Sequence, residues 1–129
     1  MTDVRFGAIG IVVTDMGRTL AFYELLGLEF TGEADGGHME ASLPGGSRLM
    51  CDTEEIMRSF DPSFVSPPAP GRISLAFECE SPEAVDATFA SVAAVGNSIH
   101  LEPFDAFWGQ RYATVIDPDG NHIDLYAAL

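Results

Sequence analysis

The sequence predicts an α+β fold in which two β-α-β-β-β halves build a cupped mixed sheet, and three observations carry that prediction. The first is strict alternation. Ile9, Ile11 and Val13 alternate with Ala8, Gly10 and Val12, and Ile73, Leu75 and Phe77 alternate with Arg72, Ser74, Ala76 and Glu78. Tyr112 and Thr114 alternate with Ala113 and Val115, and Ile123 and Leu125 alternate with His122, Asp124 and Tyr126. Strand side chains point to opposite faces at period two, so each string has one dry face and one open face. The second is a weak internal repeat of about 60 residues, each half running from a strand through a helix into further strands. The third is the chemistry of the faces: apolar beneath and small or polar above, as a sheet that cups a ligand requires.

The elements follow in order. A strand over residues 7–13 leads to Asp15, which caps a helix whose Met16, Leu20 and Tyr23 form an i, i+4, i+7 stripe and which Gly27 stops. Strands continue to about residue 53, with Gly36-Gly37 and Gly45-Gly46 as hairpin turns. Glu54 to Arg58 reads as a short helical turn, after which Pro62, Pro67, Pro68 and Pro70 impose an extended linker. Phe60 and Phe64 need burial, against the domain or in a partner's groove. The second half opens with a strand over residues 72–79; Ser81 caps its helix, Pro82 takes the first helical position, Val85, Phe89 and Val92 form the stripe, and Gly96 ends it. Asp117-Pro118-Asp119-Gly120 is a turn joining the last two strings into a hairpin, proline presetting its second position and glycine supplying a positive φ. One domain of 129 residues results, with module one to about residue 60, a linker over about 61–71 and module two from about 72.

Composition bounds the function. Twenty acidic residues stand against six arginines with no lysine, and the net charge is −14. Such a chain repels phosphate backbones and anionic lipid, which argues against nucleic-acid and membrane partners, and it steers cationic ligands inward. Without lysine there is no Schiff-base chemistry. No run approaches the roughly 20 apolar residues of a membrane span, and Met1-Thr2-Asp3 lacks the basic-then-apolar pattern of a secretory signal. Cys51 and Cys79 read as reduced, buried thiols, and the expected location is the cytoplasm. No nucleophile–base pair, phosphate-binding glycine loop or nucleotide fingerprint occurs, so no cofactor is expected.

Trp108, the single tryptophan, lies between Phe107 and Gly109 and reads as a stacking platform, or alternatively as a core plug or dimer anchor. His38 follows two glycines and is either a surface residue or a ligand contact. Arg48, Met50 and Asp52 share one strand face, where Met50 supplies adaptable packing and Asp52 an acceptor for an amine or carbamate. Arg72 in the cup needs a counter-charge from Glu78, Asp124 or Asp52, a structural salt bridge being the plainer account. Tyr112 offers a ring and a hydroxyl to the cavity, or simply packs in the core.

These residues carry a family signature. The strand, Asp15 and helix with Phe22-Tyr23 and Leu26-Gly27-Leu28 resemble the opening of the vicinal oxygen chelate superfamily, which includes glyoxalase I, extradiol dioxygenases and bleomycin-resistance proteins. Asp117 to Asn121 followed by Ile123-Asp124-Leu125 resembles its closing hairpin. The resemblance implies paired modules, a ligand cavity under a cupped sheet, and a homodimer. Metalloenzymes of the superfamily carry ligands at four strand positions that correspond here to Ala8, Met50, Arg72 and Asp124. Only Asp124 suits a hard divalent ion, so no metal is expected, although His122, Asp124 and Glu78 leave a shifted site as an alternative. Within the superfamily the chain is most similar to antibiotic-binding resistance proteins, the mitomycin-binding ones above all. The shared strings are Trp108-Gly109-Gln110-Arg111-Tyr112-Ala113, Glu33-Ala34-Asp35 with His38 downstream, and Arg58-Ser59-Phe60-Asp61-Pro62. That resemblance implies that Trp108 and His38 sandwich a planar drug. The ligand-binding set is then Trp108, His38, Tyr112, Met50, Asp52, Phe60 and Arg72, with no catalytic residue. The expected function is sequestration of a planar aromatic or quinone-type antibiotic without turnover. The alternatives are a lyase, isomerase or dioxygenase of the same superfamily, and a dimeric module that regulates a partner.

Overall fold

In the first half, β1 (Ala8–Val13) leads into α1 (Met16–Leu25), followed by β2 (Phe30–Glu33), β3 (His38–Ser42), β4 (Arg48–Thr53) and α2 (Glu54–Phe60). The computed structural model describes residues 4–68 and 72–129, and the chain divides into two units, Met1–Ser66 and Pro67–Leu129. Strand order in the first unit is β1-β4-β3-β2, with β1 parallel to β4 and the other pairs antiparallel. The Asp15 carboxylate accepts the Arg18 N–H at 3.1 Å and starts α1. Gly27, at φ +92°, ends it, and the Leu28 N–H reaches back to the Tyr23 carbonyl at 3.2 Å. Met16 and Tyr23 are buried as the stripe predicts, but Thr19 and Phe22 are buried too, so the covered face is wider than three residues. Val13, Met16, Met39 and Cys51 form the core cluster, with Ile11, Leu20 and Phe30 packed against it.

Gly37 is where only glycine serves. Its φ is +81°, and a Cβ there would lie 2.5 Å from Ile56 Cγ1 and 2.7 Å from Thr53 Oγ1. The loop into β3 therefore lies tight against the start of α2, which sets where β3 begins.

The second unit repeats the plan with β5 (Leu75–Glu78), α3 (Pro82–Ala94), β6 (Ile99–Ala106), β7 (Gln110–Ile116) and β8 (His122–Ala128). Its order is β5-β8-β7-β6, with β5 parallel to β8, which is the topology of the first unit strand for strand. The Ser81 hydroxyl accepts the Ala84 N–H at 3.1 Å, and Gly96 takes φ +89° at the other end. Val85, Phe89 and Val92 are buried, as are Ala113, Val115, Ile123 and Leu125 on the strands that α3 crosses. In the β7–β8 turn, Asp117 Oδ1 accepts the N–H groups of Asp119 and Asn121, each at 2.9 Å, and Gly120 has φ +89°.

Two expectations need correction. The strand predicted over residues 72–79 spans only Leu75–Glu78; Arg72 lies ahead of it, exposed, and Ile73 is 78% exposed. β5 pairs only with β8, beginning at Leu75 opposite Ile123, and the chain before His122 is turn, so residues 72–74 have no ladder to join. Arg72 is accordingly not on the open face of a strand. Phe60 closes α2 and is 67% exposed, not buried, whereas Phe64 is partly covered, with the Arg58 guanidinium 5.7 Å from its ring centre. α2 itself is a seven-residue helix capped by Thr53, longer than the predicted turn. Pro70, the last of the predicted linker prolines, lies outside the described residues. Cys51 is buried, Cys79 half-buried, and both are free thiols. Among the described residues, no helix is long and apolar enough to cross a membrane.

Candidate functional site

Each sheet has one face against its core and one that is not. Of the predicted site residues, Tyr112 lies on the open face of the second unit with Trp108 in the turn before it, and His38, Met50 and Asp52 lie on that of the first, whereas Phe60 ends α2 and Arg72 precedes β5. In the second unit, period two places Tyr112 and Thr114 of β7 beside Asp124 and Tyr126 of β8, the direct partners being Tyr112 with Tyr126 and Thr114 with Asp124. The Tyr112 hydroxyl donates to Asp124 Oδ2 at 2.6 Å and the Thr114 hydroxyl to Oδ1 at 2.8 Å, while Ser74 approaches Oδ2 at 3.4 Å. Asp124 is thus held by hydroxyls from three places in the chain. Burial, and then the carboxylate accepting its proton, push the Tyr112 phenol up to about 12. Spectrophotometric titration of the wild type against Tyr112→Phe should therefore show a difference transition at about 12, from the phenol that the variant lacks; a difference transition at the ordinary tyrosine value near 10 would mean that the Tyr112 hydroxyl faces water.

At the start of β7 the same face becomes aromatic. Trp108 occupies the turn after β6, beside Gly109 at φ +93°, and its indole N–H donates to Gln110 Oε1 at 2.8 Å. Around it stand Phe107 at 5.0 Å, Tyr112 at 5.2 Å and Phe104 at 6.3 Å between ring centres, with interplanar angles of 87°, 80° and 89°. These are edge-to-face contacts, which fix the indole without stacking on it. Trp108 remains 50% exposed and Phe107 97% exposed, so the tryptophan is not a core plug. Arg111 turns away from this corner and pairs with Asp86 of α3 at 2.9 Å and with Asp105 at 3.1 Å. His122 stacks on His100, with ring centres 4.5 Å apart and planes 23° from parallel.

The open face of the first unit is charged. The register sets His38 opposite Asp52, and Glu40 opposite Met50. Asp52 Oδ1 lies 2.5 Å from His38 Nδ1 and Glu40 Oε2 lies 2.7 Å from His38 Nε2, while Arg48 donates to Glu40 Oε1 at 2.8 Å. Hydrogen bonds to Glu40 and then Asp52 raise the imidazole above its ordinary value, and Glu40 is held below the usual carboxylate range chiefly by His38 and then by Arg48. Asp52, expected to receive a ligand's amine, receives His38 instead. Met50 is half-buried and lies over Gly10, where a Cβ would come within 3.9 Å of its terminal methyl. Beside this face, an open depression of about 450 Å³ is lined by Asp35, Gly36, Gly37, Thr53, Glu55 and Ile56, none of them predicted as ligand-binding residues.

The four positions that the resemblance assigns to metal ligands carry side chains poorly suited to a divalent ion. Ala8 has no donor atom, Met50 is a soft thioether, Arg72 is a cation lying off the strand, and Asp124 is engaged by Tyr112 and Thr114. Among the described residues no three His, Cys, Asp or Glu side chains form a group able to hold a metal. Sequence reasoning named Trp108, Tyr112, His38, Met50 and Asp52 but did not name their partners Glu40, Thr114, Phe104 and Gln110. The signal for Glu40 was present, because it stands two residues from His38 and so shares its face. Phe104 was hidden, since the β6 register shifts between Ile99 and Leu101 and again between Leu101 and Phe104.

Solved structures resemble the whole chain. A glyoxalase-related enzyme from Fulvimarina pelagi superposes with a TM-score of 0.83 at 18% identity, covering 95% of this chain and 87% of that one. A glyoxalase/bleomycin resistance protein/dioxygenase from Nocardioides gives 0.77 at 21% identity, covering 100% and 86%. Lactoylglutathione lyase from Agrobacterium tumefaciens gives 0.70 at 18% identity, covering 98% and 95%. At these identities the likeness is one of fold. No curated protein matches the chain in sequence. The family model described as Glyoxalase/Bleomycin resistance protein/Dioxygenase superfamily matches residues 5–125. With paired β-α-β-β-β units and a match over nearly its full length, the chain belongs to the glyoxalase/bleomycin resistance protein/dioxygenase superfamily.

Proposed function

We propose that this protein is a small-molecule binding protein that sequesters a planar aromatic or quinone-type antibiotic, acting in the cytoplasm as a homodimer without metal or turnover. One observation carries the reading: Trp108 is half exposed, braced edge-on by Phe104, Phe107 and Tyr112, and tethered through its N–H to Gln110. A rigid indole with no parallel ring on it is pre-organised for a flat ligand, because its orientation need not be fixed at the moment of binding. The misfit of the metal positions favours binding over the metal-dependent chemistry of other superfamily members. The similarity of the string from Trp108 to Ala113 to mitomycin-binding resistance proteins supports the antibiotic class.

The test uses the single tryptophan. Titrating the purified protein with a panel of planar aromatic and quinone antibiotics should quench or shift its emission. Stacking contributes roughly 0.5–1.5 kcal/mol beyond the area buried, and the buried ring adds about 25 cal/mol per Å². Trp108→Ala should therefore weaken binding about tenfold or more, with circular dichroism showing an unchanged fold. A panel without any binder, or a folded Trp108→Ala protein that binds as well as wild type, would overturn the reading; conversion of a bound compound would replace it with an enzymatic one.

A further inference from the structure

Two groups beside the indole have the direction of their hydrogen bonds forced on them. An ionised carboxylate accepts and does not donate, so the Tyr112 hydroxyl, 2.6 Å from Asp124 Oδ2, spends its one proton there. The Thr114 hydroxyl, 2.8 Å from Oδ1, does the same on the other oxygen. What the Tyr112 oxygen has left is lone pairs, and donating to an anion makes it a stronger acceptor. The indole N–H only donates, so the Gln110 atom that meets it at 2.8 Å is the amide oxygen. The Gln110 amide nitrogen keeps both of its protons, and among the described residues it has no partner.

Both groups border the half-exposed Trp108. Gln110 and Tyr112 stand two residues apart on β7, share one face, and are each half-buried. Gln110 holds the indole by its edge, while the Tyr112 ring lies 5.2 Å from it and meets Phe104 at 6.1 Å. A flat ligand seated on the indole therefore has an acceptor, the Tyr112 oxygen, and a donor, the Gln110 amide, within one ring's breadth.

We infer that the Trp108 corner recognises one edge of its planar ligand as a donor beside an acceptor: a ring amino or hydroxyl group donates to the Tyr112 oxygen, and a ring carbonyl accepts from the Gln110 amide. This inference rests on the proposed binding function and narrows its ligand to quinones and related ring ketones that carry such a donor. Asp124 is a positioning residue, fixing the direction of the Tyr112 O–H without touching the ligand. An edge of carbonyls alone would set lone pairs against the Tyr112 oxygen and lose that hydrogen bond.

The test uses 1-aminoanthraquinone and 1-methylanthraquinone, matched in shape, with binding followed through Trp108 emission. The amino probe should bind wild type about three- to tenfold tighter, although the methyl probe is the more apolar. Tyr112→Phe, which keeps the ring, should level the two affinities by weakening the amino probe alone. Gln110→Glu keeps an acceptor for the indole but loses the amide protons, and should weaken both probes. Asp124→Leu frees the Tyr112 hydroxyl to donate outward, and should shrink the preference while Tyr112 itself is intact, which a merely structural role would not do. Circular dichroism establishes the fold of each variant, and Tyr112→Phe decides the matter if Asp124→Leu does not fold. Equal wild-type affinities, with both probes quenching Trp108, would overturn the inference and leave the binding reading standing. A preference that survives Tyr112→Phe, or affinities untouched by Gln110→Glu, would overturn it as well. So would a wild type that binds neither probe, whether or not another planar compound quenches Trp108.

Discussion

Leu125→Ala should destabilise the protein by about 2–5 kcal/mol, the range for deleting a fully buried leucine side chain. Leu125 has no solvent exposure and lies near the middle of β8, flanked in register by Phe77 on β5 and Ala113 on β7. Ala113 on one side is too small to lean into the space, and the strand on the other is held by its ladder, so relaxation is limited and the cavity term stays large. Urea unfolding followed by circular dichroism checks this as a shift of the midpoint at constant slope. Leu125→Met, which conserves volume, should cost less than about 1.5 kcal/mol. A loss under about 1 kcal/mol for the alanine variant would mean that this face is not closely packed.

Asp117→Ala should destabilise by about 2–3 kcal/mol, through hydrogen bonds to a charged acceptor rather than through volume. The carboxylate is 4% exposed, accepts the N–H groups of Asp119 and Asn121, and takes the Asn121 side-chain amide on its other oxygen at 2.8 Å. Removing it leaves three donors to find water in a half-buried turn. Asp117→Asn keeps one acceptor oxygen for the backbone pair and should lose about half as much. Because β8 runs directly from this turn, the alanine variant should also raise amide exchange at Asp124, and with it loosen the acceptor of Tyr112 and Thr114. Exchange confined to residues 117–121 would show that the turn is not what holds β8 in register.

The architecture was legible where the rules are local. Caps at Asp15 and Ser81, glycine stops at Gly27 and Gly96, and the turn at Asp117 depend on residues within four positions of one another, and each formed as expected. The buried helix stripe Val85, Phe89 and Val92 and the alternation in β8 also depend only on periodicity. Arg72 and Ile73 show where that reasoning ends. Their alternation continues the strand pattern faithfully, yet a strand also needs a neighbour, and β8 has turned away before reaching them. Phe60 fails for a related reason: a large apolar residue asks to be buried, but only packing decides whether there is anything to bury it.

The site divides the same way. The sequence by itself determined which side chains share a face where the strand was legible, because period two settles that for Arg48, Met50 and Asp52. It also determined that Trp108 lies in a loop beside glycine. The tertiary structure alone decided how those residues pair. Register between β3 and β4 puts Asp52 against His38, and register between β7 and β8 puts Asp124 under Tyr112 and Thr114. Register is a property of two strands together, set by turns and by core contacts distant in the chain, and a change of one residue would send every one of these side chains to the other face.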